Sequence, residues 1–272
     1  MNRSLAHDGN ASGWPAAAEE SRVARSKESR AKIAAMPSEE TAIAANVERV
    51  RERIARAAQR AGRRAEEITL VAVSKTFPAE AIRAASDAGV VHFGENRVQE
   101  FESKKGKLDG LGNDVTWHLI GHLQSNKARR AAELFDRIDS IDSIALATKL
   151  DSAAADQARR VPILIEINLG GEKSKSGVSE NDLESIAREL TGLHNLELRG
   201  LMTIPPFSDD PERARSYFKR LRELHRRLSR ELGCSLPVLS MGMSHDFEIA
   251  VEEGATEVRV GTAIFGERQM KL

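Results

Sequence analysis

Strict alternation of short apolar strands with helical segments predicts a single (β/α)8 TIM barrel, an α/β fold, over residues 41–272. Three observations carry the prediction. From Ile68 onward eight strand-like runs are each followed by a helix-like run, and such units demand a parallel sheet with helices outside. The turn after the first strand reads Lys75-Thr76-Phe77-Pro78, where an open dinucleotide-binding sheet would carry Gly-x-Gly-x-x-Gly. The chain has 272 residues, 40% hydrophobic and 30% charged, enough to bury one core without covalent staples.

The elements follow in order. Ile43, Val47, Val50, Ile54, Ala57 and Ala58 recur at helical spacing with charges opposite, so a helix precedes the barrel. Strand one is Ile68–Lys75, rich in β-branched residues, and Ala79–Ala88 is a helix that Gly89 ends. Strand two is Val90–Glu95 with helix Arg97–Lys107, strand three Thr116–Ile120 with helix Ser125–Phe135, strand four Arg137–Ile141 with helix Ser143–Arg159. Strand five, Pro162–Leu169, is continuously apolar; a loop to Gly177 and a helix near Ser179–Thr191 follow it. Leu196–Ile204 and the long helix Pro211–Leu232, Pro237–Met241 and a helix near His245–Glu253, and Glu257–Val260 with a short closing helix complete the set.

Composition excludes several classes. Lys and Arg number 41 against 41 Asp and Glu, so no global field draws nucleic acid or an anionic membrane. Runs such as Pro162–Ile165 are far shorter than the ~20 residues of a membrane span. A single cysteine, Cys234, excludes an internal disulfide and points to the cytoplasm. Residues 1–40, rich in Ala, Ser, Arg and Glu without apolar periodicity, read as a disordered extension. They lack the apolar stretch of a secretory signal, Asn10-Ala11-Ser12 is then an idle sequon, and Met36 is a candidate true start.

In a barrel of this type, chemistry gathers where the strands end. There the sequence places Lys75, Asn96, His122, Asn168, Met202, the run Ser240-Met241-Gly242-Met243-Ser244, and Arg259-Val260-Gly261-Thr262. Lys75 ends a strand without charges, where desolvation favours a neutral amine able to attack an aldehyde. On spacing alone an outward-reaching lysine, or one paired with Glu95 or Glu166, is equally open. Ser240, Gly242, Ser244, Gly261 and Thr262 supply hydroxyls and backbone amides at two adjacent helix entrances, a cup for a phosphate; as plain helix caps they would look the same. Phosphate plus an imine-forming lysine points to pyridoxal 5′-phosphate (PLP), and a Schiff-base aldolase acting on a phosphorylated substrate is also compatible.

The segments Val71-Ala72-Val73-Ser74-Lys75-Thr76, His92-Phe93-Gly94-Glu95-Asn96-Arg97-Val98-Gln99-Glu100 and Trp117–Lys127 resemble the pyridoxal phosphate homeostasis proteins. So do Lys175-Ser176-Gly177-Val178, Leu198–Met202, Leu239–Ser244 and Arg259–Gly266, in family order across residues 41–268. The resemblance implies an alanine-racemase-type barrel (PLP fold type III) holding PLP as a Schiff base on Lys75, with a role in vitamin B6 balance as a buffer or donor of cofactor. It implies phosphate contacts from Ser240, Ser244, Gly261, Thr262 and the amides of Gly242 to Ser244. Arg259 resembles the residue facing the pyridine nitrogen; Asn96 would flank the ring, and Met202 would pack on it or be an ordinary core methionine. PLP-dependent apo-enzymes are the implied transient partners, and a monomer is the expected state.

Racemase chemistry is disfavoured by the residues. The chain's one tyrosine, Tyr217, falls inside the helix Pro211–Leu232, the chain stops after the eighth unit, and a cation at the ring nitrogen weakens the electron sink. A Schiff-base racemase or aldolase is the alternative to a carrier. His118 and His122 sit on a strand and its loop, about 13 Å apart along extended chain, so no metal site is expected. The many arginines of Pro211–Leu232 read as the solvated face of a barrel helix.

Overall fold

The computed structural model describes residues 39–112, 114–172 and 176–267. Eight parallel strands close into a barrel in chain order: β1 Thr69–Val73, β2 His92–Glu95, β3 Thr116–Leu119, β4 Arg137–Ile141, β5 Val161–Ile167, β6 Leu196–Thr203, β7 Val238–Ser240 and β8 Glu257–Val260. The helices are α1 Glu39–Arg60, α2 Ala79–Asp87, α3 Val98–Lys105, α4 Ala128–Leu134, α5 Ile144–Ala155, α6 Leu183–Leu190, α7 Arg215–Leu232, α8 Phe247–Glu252 and α9 Thr262–Phe265. β1 pairs with both β2 and β8, so the sheet has no free edge. The expected extension of residues 1–40, with Met36 and the sequon, lies outside the described residues except for Glu39 and Glu40, which open α1.

The predicted apolar stripe of α1 is buried at each of its six positions. It packs on α2 and α8, where Arg53 lies 4.4 Å over the Phe247 ring and pairs with Glu248 at 2.9 Å. Ser143 caps α5, accepting from the Leu146 N–H. Gly233 ends α7 in the left-handed region at φ 61°. In β6, Gly200 admits the neighbouring strand: a Cβ there would stand 1.7 Å from the Val238 carbonyl oxygen. At the same level the β5–β6 register shifts between Ile163 and Leu164.

Differences from the expected elements are local. The helix expected near Ser179 starts at Leu183, because Ser179 and Asp182 first form a turn in which the serine hydroxyl donates to the Asp182 carboxylate at 2.6 Å. Strand five ends at Ile167, and Asn168 instead joins the returning loop through the Val178 carbonyl. Several cations of α7 are matched by carboxylates: Arg215 reaches Glu212, Glu252 and Glu253, Arg220 reaches Glu180, and Arg222 reaches Glu253. No helix among the described residues is long and apolar enough to cross a membrane.

Candidate functional site

The period-two alternation of strands turns every second residue into the barrel. Along β8 this sends Glu257 and Arg259 inward in turn, and Gly261 follows at the rim. The mouth at the strand C-termini opens into a cavity of about 540 Å3. Its walls include Lys75 beyond β1, Asn96 beyond β2, Ile120 and His122 beyond β3, Glu166 and Asn168 from β5, and Arg259, Gly261 and Thr262 from β8. Lys75 therefore faces the β7 and β8 loops across one space. Of the nine residues expected to hold cofactor, Lys75, Asn96, Ser244, Arg259, Gly261 and Thr262 line it.

Met202, Ser240 and Gly242 lie outside that lining. Ser240 is fully buried one level below the rim, and its hydroxyl accepts a 2.7 Å hydrogen bond from Arg259 Nη1. Met202 is likewise fully buried, paired in register with Ser240 and Glu166. Gly242, at φ 92°, turns the chain out of β7 where a Cβ would strike Ala250 and the Phe247 backbone. The Met243 amide, expected at an anion, donates at 2.6 Å to Asp246 Oδ1, closing the entrance to α8.

Ser244 joins the two loops. Its Oγ accepts from the Gly261 N–H at 3.1 Å and the Ala263 N–H at 3.3 Å. Arg259 is held from both ends, Nη2 donating to the Thr203 carbonyl at 2.8 Å. Burial lowers the guanidinium from its usual range while Glu257, Asp139, Glu166 and Asp246 oppose that shift; an arginine stays charged throughout. Burial likewise pushes the Glu166 carboxyl up, with Arg259 pulling it back. Glu95 turns away from the cavity: its carboxylate receives Ser74 Oγ at 2.8 Å and Lys104 Nζ at 3.1 Å. Gly121 lets β3 pass Asn96, since a Cβ there would lie 2.4 Å from the Asn96 carbonyl oxygen.

Below Arg259 runs a polar network inside the barrel. His92 and His118 meet at 3.1 Å, His118 reaches Asp139 at 3.3 Å, and Arg137 binds both Asp139 oxygens at 2.6 and 2.9 Å. Arg137 also donates to Glu257 Oε2 at 2.5 Å, and Glu257 Oε1 is buried without a hydrogen-bond partner among the described residues. Ligand atoms of His118, Asp139 and Glu257 lie within 4.8 Å of one another, but the Arg137 guanidinium occupies that carboxylate pair. His122 pairs instead with Asp142 at 3.0 Å. Sequence reasoning missed Phe207, His245 and Ser176 on the cavity wall. The run Ile204-Pro205-Pro206-Phe207 directly after strand six was the available signal for the first.

A closed parallel barrel with its polar groups gathered at this mouth has a counterpart among known families: the model of the alanine racemase N-terminal domain matches residues 41–269. The class is thus the alanine-racemase-type barrel. A pyridoxal phosphate homeostasis protein of Aquifex aeolicus is 47% identical over 221 residues, 81% of this chain and 96% of the relative. One of Escherichia coli strain K12 is 44% identical over 233 residues, 83% and 97% of the two chains. The chain belongs to the pyridoxal phosphate homeostasis protein family. PipY of Synechococcus elongatus, solved with PLP bound, superposes with a TM-score of 0.70 at 44% identity, covering 74% of this chain and 93% of PipY. Alanine racemase from Corynebacterium glutamicum, at 22% identity, TM-score 0.63 and coverage of 84% and 62%, shares the fold.

Proposed function

We propose that residues 41–272 form a PLP-binding domain that anchors the cofactor on Lys75 and buffers or delivers it in the cytoplasm, without strong turnover of its own. One observation carries the reading: Lys75 and the Ser244–Gly261–Thr262 loops border the same cavity of about 540 Å3, within the range of small-molecule sites. When bound, PLP supplies an aldehyde that condenses with a primary amine, and a phosphate arm.

The chain's own groups fit both ends. Lys75 offers the amine. Ser244 Oγ is fixed by accepting from the Gly261 and Ala263 amides, which leaves its own O–H, with that of Thr262, to donate to an anion at the helix entrance. Arg259, fixed by Ser240 and Thr203, presents a permanent cation toward the ring, which disfavours protonation of a facing nitrogen. Asn96 and Ile120 flank the ring, while Met202, Ser240 and Gly242 shape the floor from behind. The chain's single tyrosine, Tyr217, lies on α7 and is absent from the cavity wall, so the facing acid–base pair a racemase needs is not assembled from lysine and tyrosine here. PLP-dependent apo-enzymes are the proposed transient recipients, and the proposed state is a monomer, checked by the mass from light scattering.

Adding PLP to the purified protein tests the reading. The protein turns yellow, and after borohydride reduction mass spectrometry finds the adduct on Lys75; Lys75→Ala abolishes both. A colourless wild type, an adduct elsewhere, or sustained racemisation of an amino acid at ordinary enzyme rates overturns it.

A further inference from the structure

We propose that Lys104 is the positioning residue for Lys75: it ties together the two residues on either side of the anchoring amine. The inference rests on the reading of Lys75 as the PLP anchor. Thr76, immediately after Lys75, has φ 69°, a conformation that a β-branched residue adopts only where its surroundings impose it. A hydrogen-bonded cluster around the turn imposes it. The Thr76 N–H donates to Glu100 Oε1, and that same oxygen accepts from Lys104 Nζ at 2.7 Å. On the other side of Lys75, Lys104 Nζ donates to the Ser74 carbonyl at 3.1 Å. The Ser74 hydroxyl donates to Glu95 Oε1 at 2.8 Å, and Lys104 also reaches that oxygen, at 3.1 Å.

Backbone before Lys75, backbone after it and two carboxylates thus converge on one ammonium. The ammonium and Glu95 are shielded, with side chains of Lys104, Glu95 and Glu100 12%, 0% and 24% exposed, so the bonds of Lys104 are little weakened by water, while the Thr76–Glu100 bond lies at the surface. Lys104 lies on α3 and is not on the cavity wall. It acts through the turn, by setting the direction in which the Lys75 side chain leaves β1. A lysine suits the role because its three protons diverge toward separate acceptors, whereas the planar fork of arginine serves two carboxylates better than a backbone carbonyl.

The test is PLP titration of the full-length protein, followed by absorbance across pH. Wild type, Lys104→Met, Lys104→Arg and the exposed neighbour Lys105→Met are compared, with thermal unfolding alongside. Lys104→Met is expected to weaken PLP binding about tenfold, equivalent to about 1.4 kcal/mol, and to displace the pH midpoint of the bound-PLP absorbance. Lys104→Arg is expected to recover part of both, and Lys105→Met to match wild type. A folded Lys104→Met with wild-type affinity and wild-type pH midpoint overturns the proposal, even if its melting temperature falls. Should Lys104→Met fail to fold, Glu100→Ala decides by the same two readouts. Wild type that does not capture PLP on Lys75 overturns the function reading itself; wild type that does, beside indifferent variants, overturns only the role of Lys104.

Discussion

Ser240→Ala separates two roles that one hydroxyl could play. In the structure Ser240 Oγ is fully buried and receives Arg259 Nη1 at 2.7 Å. Alanine removes that acceptor and leaves a donor of a buried guanidinium unpaired, since Nη2 is already committed to the Thr203 carbonyl. A hydrogen bond to a charged group contributes about 1.5–3 kcal/mol, and the donor left behind is costly to strand. For a domain of this size each kcal/mol moves the melting temperature by about 2–4 °C, so a fall of about 3–12 °C is expected. Calorimetry on the PLP-free protein reads it, with PLP titration in parallel. Affinity should drop only modestly, because Arg259 loses one of two tethers and no phosphate donor is removed. A melting temperature unchanged within a degree or so, together with a large loss of PLP affinity, would refute this account and return Ser240 to the phosphate.

Two further outcomes follow. Gly121→Ala places a Cβ against the Asn96 backbone at 2.4–2.8 Å; both loops must shift, so stability should fall by about 1–3 kcal/mol, with weaker PLP binding in the same titration. His92 and His225 are both lowered from 6.5, chiefly by burial, so the unfolded chain binds more protons as pH falls through that value. Their contribution is full above pH 6.5 and is lost toward their lower folded values; urea unfolding between about pH 7.5 and about pH 5.5 should show it, less steeply in His225→Gln.

The sequence is legible where one strand carries the whole signal. Lys75 stands out because a charge terminates an uncharged β-branched run, and the period of a strand then aims it. Ser244, Gly261 and Thr262 are legible because helix entrances need hydroxyls and small residues. Depth is what a single strand does not reveal. Ser240 and Ser244 look alike in sequence, yet one faces Arg259 inside the barrel and the other joins two loops at the rim. Lys104 and the network of His92, His118, Arg137, Asp139 and Glu257 were not legible as clusters: Lys104–Glu100 and Arg137–Asp139 are close in sequence, but the Ser74 carbonyl, His118 and Glu257 reach them from other strands.

That interior network bears on the charge presented at the cavity floor. Barrel interiors are ordinarily filled with branched aliphatic side chains, and a buried ion network is on balance no more stabilising than well-packed apolar residues. Here Arg137, Asp139 and Glu257 occupy that space, with burial pushing Asp139 up but the Arg137 charge prevailing, so that it stays below the usual carboxylate range. Glu257 sits two residues before Arg259 on β8, and Glu257, Asp139 and Glu166 all favour the charged form of its guanidinium. Arg259, tethered by Ser240 and Thr203, thus stays charged at the cavity floor. A cation so fixed disfavours protonation of a ring nitrogen opposite it and limits the ring's capacity to store charge. On the proposed reading of the site, such an interior would favour holding PLP over using it, with the amine of Lys75 on the cavity wall as the point where cofactor is taken on and given up.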